Sequence, residues 1–114
     1  MSYYAASQLD MRWGKILILG MKMQKITVDS NPSQELLNKM GVASWPTWGK
    51  EVSVFPWDFV TTETAFILEG ECEMTPEDGS ESTTFKAGDL VVFPLGWKGT
   101  WEVKKALKKH YQHS

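Results

Sequence analysis

The chain has 114 residues with a formal net charge of −2, close to the commonest size of one domain and without the basic excess that binding to phosphate backbones needs. Apolar residues at 42% and charged residues at 23% are ordinary for a folded protein, whereas six Trp in so short a chain suggest a packed interior or an aromatic-lined cavity. A single cysteine, Cys72, excludes an internal disulfide and a multi-thiolate zinc site, and fits a reducing, cytoplasmic setting.

Near the N-terminus the one apolar run, "WGKILILGM" (13–21), falls far short of the roughly 20 residues that span a bilayer, so no membrane partner is expected. Met21 and Met23 stand just before "QKITV", which allows residues 1–24 to be an appended arm or an upstream start, with one folded domain over 25–114. "QKITV" (24–28) reads as a short strand. In "SNPSQELLNKMG" (30–41), Asn31 suits a cap, Pro32 the first helical position and Gly41 a left-handed terminator. The result is a two-turn helix showing Leu36, Leu37 and Met40 to the body.

"ASWPTWGKE" (43–51) is too broken by Pro and Gly for a regular element, and its Trp45 and Trp48 are expected in a loop closing one end. From residue 50 the pattern becomes short strands punctuated every eight to twelve positions: 50–55, 64–69, 71–75, 82–86, 89–94, 99–104 and 107–112. That spacing predicts an all-β sandwich or barrel. Asp78-Gly79 marks a hairpin between two of these strands, and "KAGD" (86–89) a second tight turn.

One acid stands out. Glu63 heads the apolar run "TAFILE", where an inward carboxylate costs several kcal/mol unless it has a partner, a metal or a proton. Six residues separate Glu63 from Gly70; later, Gly88 is followed by five residues, Pro94, one residue and Gly96. In order and spacing these two halves resemble the two motifs of the cupin superfamily. The segments "SWPTWGKEVSVFPWDF", "TAFILEGECEMTPEDG", "FKAGDLVVFPLGWKGTWEV" and "KKHY" are similar to small single-domain cupins grouped with the cupin module of (S)-ureidoglycine aminohydrolase. The resemblance covers about residues 25–113 and implies an RmlC-like, jelly-roll type cupin β-barrel with one short N-terminal helix.

Metal-binding cupins, by the same resemblance, place two His before the Glu and another after the second motif. Here those positions hold Pro56 and Asp58, or Trp57 and Phe59 with the shorter spacing, and then Gly99. The resemblance therefore implies the barrel but no standard metal centre, and no cofactor is expected. A rebuilt divalent site from Asp58, Glu63 and His110 is the alternative, against a turn-capping role for Asp58 beside Thr61 and Thr62.

Three roles are open to Glu63: a structural acid held by hydrogen bonds, an acid or base kept protonated by desolvation, or a ligand. His110, on the last predicted strand, is its candidate catalytic partner. Tyr111 must point to the opposite face, so only one of the two can share the lumen with Glu63. His113 is expected to fray at the terminus. Trp101 and Val103 share a face, and with Trp57, Phe59, Phe93 and Tyr111 they are candidates to line a pocket for a small planar or polar ligand. Lys98 could meet an anionic ligand at the mouth.

Three functions fit: a small-molecule-binding cupin without a standard metal, a ureidoglycine aminohydrolase-like enzyme using Glu63 and His110 as acid and base, or a non-catalytic module with a filled barrel. Exposed sheet edges allow a homodimer.

Overall fold

The computed structural model describes residues 23–114, so the arm expected over 1–24 lies outside the described residues except for Met23 and Gln24. Two long antiparallel strands form the spine. They are β4 (Glu63–Pro76) and β7 (Lys98–His113), paired from Glu63 opposite His113 to Pro76 opposite Gly99. On its other edge β7 takes β3 (Ser53–Asp58) along its first half and β2 (Thr47–Lys50) along its second. The other edge of β4 takes β6 (Leu90–Phe93) and then β5 (Thr83–Lys86), while β1 (Thr27–Asp29) completes the seven-stranded sheet against β6.

The strands expected at 64–69 and 71–75 are one strand, as are those at 99–104 and 107–112. Gly70 does not end β4 but bends it, at φ +105°, where the register against β7 shifts between Ile67 and Cys72. Bulges of this kind curve a sheet and turn its inner face around a core. Ala65, Ile67, Cys72, Met74, Val91, Phe93, Trp101 and Val103 have at most 1% of their surface exposed and fill that core. Trp101 is its hub: the rings of Phe55, Phe93, Trp48, Trp57, Phe59 and Phe85 all have centroids 5.6–6.5 Å from its own.

The segment 43–51, expected to be irregular, holds β2, because the second half of β7 gives "TWGK" a complete ladder of partners. The helix, α1 (Gln34–Met40), ends at Gly41 in the left-handed conformation as expected, but it starts later. Ser33 caps it by accepting the Leu36 N–H at 3.1 Å, while the Asn31 N–H is already held by the Asp29 carboxylate at 3.0 Å. Leu37 is buried and Met40 packs beside it in a second cluster with Val42, Leu90 and Trp45, whereas Leu36 remains largely exposed. The "KAGD" turn forms, with the buried Asp89 carboxylate accepting the Lys86 N–H at 2.8 Å. No helix among the described residues is long and apolar enough to cross a membrane.

At Gly99 the spine strands approach too closely for any side chain: a Cβ there would lie 2.1 Å from the Thr75 carbonyl oxygen and 2.6 Å from the Trp97 ring. Gly99→Ala should therefore lower unfolding stability by at least about 2 kcal/mol, because neither backbone nor a buried Trp can yield cheaply. Urea unfolding measures this, and an unchanged midpoint would contradict the crowding.

Candidate functional site

Alternation along β7 decides which side chains reach the barrel mouth. Leu107, Lys109, Tyr111 and His113 are spaced by two, so they share the inner face of its second half. Across the ladder, Ile67 stands opposite Lys109, Ala65 opposite Tyr111 and Glu63 opposite His113. The small Ala65 separates Ile67 from Glu63 along this face, and the long Lys109 side chain runs past that position to the acid. Its Nζ donates to Glu63 Oε2, forming an ion pair in which both side chains are more than nine-tenths buried.

The partner that Glu63 requires is thus Lys109, a residue not among those singled out from the sequence. The same ammonium lies 4.8 Å from the ring centroid of Trp101, 5.1 Å from Trp48, 5.3 Å from Phe93 and 5.7 Å from Tyr111. Aromatic faces carry negative charge density and attract a cation, most strongly where water is excluded. Burial nevertheless dominates, and it holds the Lys109 pKa below the ordinary 10.5 against the upward pull of the Glu63 charge. Cys72, buried nearby, has its thiol pushed up by desolvation, with the Trp101 indole and the Lys109 charge acting in the other direction. The buried Trp101 N–H has no hydrogen-bond partner among the described residues.

Above the pair opens a cavity of about 170 Å³, lined by Trp48, Trp57, Glu63, Trp101, Lys109, Tyr111 and His113. Depth sorts its walls: Glu63, Lys109 and Trp101 form the floor, Trp48 and Tyr111 are half-buried, and Trp57 and His113 stand exposed at the rim.

The expected residues divide. Trp57, Trp101, Tyr111 and Glu63 reach this cavity. Phe59 and Phe93 do not line it; they stack on each other at 4.7 Å in the core behind it. His110 is a correction. It lies on the opposite face of β7, beside Phe66 of β4, and its Nδ1–H donates to the Trp45 carbonyl at 2.8 Å, so it is not brought to Glu63. His113, expected to fray, is instead tied by Nδ1 to Thr61 Oγ1 at 2.7 Å and pairs across from Glu63. Trp48, expected in an end loop, lies opposite Lys109 on β2 and forms part of the wall.

Asp58, Glu63 and His110 do not come together as a ligand set. Asp58 is exposed at the end of β3, His110 faces away, and the Glu63 oxygen is taken by Lys109. No group of three or more His, Cys, Asp and Glu side chains converges among the described residues.

Residues 37–111 match the EutQ-like cupin domain. A DUF861-family protein from Thermotoga maritima has a structure similar to this one, with a TM-score of 0.75 and 41% identity over 79% of this chain and 100% of that one. More distant folds include a DUF1255 protein of Acidithiobacillus ferrooxidans, at TM-score 0.53 and 22% identity over 56% of this chain and 60% of that one. The EutQ protein of Clostridium difficile has a TM-score of 0.52 and 16% identity over 59% and 52%. No curated protein matches.

Two outcomes test the pair. Lys109→Met should destabilise the fold by about 3–5 kcal/mol by leaving Glu63 buried and alone, and adding Glu63→Leu should restore more than half of that loss. Urea unfolding of the three variants decides; a double variant no better than the single would contradict the coupling. The pH dependence has a defined sign. Between the lowered folded pKa of Lys109 and 10.5 the unfolded chain binds more proton at this site than the folded one, so stability rises with pH across that window. The difference in melting temperature between wild type and Lys109→Met should change over that window, and a constant difference would contradict it.

Proposed function

The chain belongs to the EutQ-like cupin family, and we propose that its barrel mouth binds a small planar or polar organic molecule without a standard cupin metal centre. The observation that carries this reading is the joining of a buried Lys109–Glu63 pair to an open aromatic cavity. A purely filled barrel would close over such a pair. Here both charged groups line free space, where a ligand can exchange hydrogen bonds with them in surroundings that strengthen each one.

The walls define the ligand class. Trp48, Trp57 and Tyr111 offer flat apolar surfaces, and Lys109 Nζ and Glu63 supply one donor and one acceptor at the floor. A volume of about 170 Å³ suits a metabolite with a planar part and one polar end. The donor set supports a site that works without a metal, because Lys109 already provides the positive charge that the Glu63 carboxylate needs.

A thermal-shift screen of small carboxylic acids, amides, aldehydes and heteroaromatic compounds should yield compounds that raise the melting temperature with concentration. Trp57 is 39% exposed and stands at the rim. Trp57→Ala should therefore weaken those compounds by about tenfold or more while the protein stays folded. A screen with no hit, or hits indifferent to Trp57, would contradict the reading in favour of a filled structural module.

A further inference from the structure

We propose that Lys109 is a nucleophile that captures small aldehydes in this cavity as a Schiff base, with Glu63 carrying the protons. The inference rests on the reading of the cavity as a ligand site and goes beyond it by naming a covalent step. Three features of the structure support it.

First, the amine is placed where a carbonyl can reach it. Lys109 is 3% exposed, yet its side chain lines the cavity, so a molecule small enough to enter meets this residue at the floor. The neighbouring Lys108 is exposed on the outer face and has none of these surroundings. Second, the pair contains its own acid–base machinery. An ammonium touching a carboxylate in a desolvated pocket can pass its proton across the hydrogen bond, which yields a neutral amine and a neutral carboxylic acid together. Burial also holds the Lys109 pKa below the ordinary lysine value.

Third, the product suits the cage as well as the starting state does. Nζ adds to the carbonyl carbon, and the π electrons move to oxygen, which takes the proton held by Glu63. The adduct nitrogen then gives a proton back to Glu63, and Glu63 passes it to the hydroxyl. The C–O bond breaks, water leaves, and a C=N bond remains. In sum, an ammonium and an aldehyde become a protonated imine and one water, with Glu63 again a carboxylate. The positive charge stays on Nζ, the atom that in the free protein touches the same carboxylate and lies 4.8–5.7 Å from four ring centroids. Water leaves past Trp57 and His113 at the rim.

Reductive trapping tests the step. The full chain is incubated with propanal and sodium cyanoborohydride near neutral pH, then digested and mapped by mass spectrometry. The propyl group should appear on Lys109 at least about tenfold faster than on Lys108, as expected for a desolvated amine beside its own acid. Lys109→Arg keeps a cation in the cage, so it should fold, lose the adduct and leave labelling of the other lysines unchanged. Glu63→Gln should slow labelling of Lys109 by about tenfold or more relative to Lys108 in the same sample. If that variant fails to fold, the wild-type ratio of Lys109 to Lys108 decides alone. Labelling of Lys109 no faster than Lys108, or only in urea, would overturn the proposal. Compounds that still raise the melting temperature in that case would leave the non-covalent binding reading standing.

Discussion

One buried ion pair organises the mouth of this barrel. A carboxylate or an ammonium moved alone into such surroundings carries a penalty of several kcal/mol, and the pair is tolerable only because Glu63 and Lys109 meet directly. The opposing effects can be ranked for the lysine. Desolvation is the largest, the attraction of Glu63 and its hydrogen bond oppose it, and the balance falls on the side of a lowered pKa. Four aromatic faces around Nζ add attraction that water would have screened. A pair held in this way is a constraint on the fold more than a source of its stability, since apolar residues of equal volume often serve stability as well or better.

The sheet explains how the two charges meet. β4 and β7 are long enough to run the height of the barrel, so residues distant in sequence share one inner surface, and the bend at Gly70 turns that surface into a container. Glu63 lies at the start of β4, and Lys109 four residues before the last paired position of β7. β2 and β3 then bring Trp48 and Trp57 over the open side, each packed on Trp101. A single tryptophan thus joins the core to the cavity, with Phe59, Phe85 and Phe93 on its inner side.

Much of this was legible in the chain, and the gaps have physical causes. The two glycine-punctuated motifs, the strand spacing and the isolated Glu63 point to the barrel and its mouth. What they leave out is the identity of the partner. The signal for Lys109 is present: Leu107, Lys109, Tyr111 and His113 alternate with polar residues, and the sequence sets Tyr111 inward or outward only in opposition to His110. Carrying that alternation back two positions puts a lysine inside. One of five lysines on β7 reads as solvated, however, and only the choice of which face turns inward separates it from Lys108. His110 misled for a related reason, since a histidine next to a tyrosine near a lone acid suggests chemistry, while its ring serves only to hold the Trp45 carbonyl. β2 was hidden because Pro46 and Gly49 weaken local propensity, and the ladder from β7 outweighs it.

Lys109 is an inward, desolvated cation answering Glu63. Titration of the Lys109 side chain by NMR, with the lysine side chains labelled with carbon-13 and assigned through Lys109→Arg, addresses it most directly. The expected midpoint lies below that of the exposed lysines and moves lower still in Glu63→Gln, where the attraction is removed and desolvation remains. A midpoint in the ordinary lysine range, unmoved by Glu63→Gln, would contradict it.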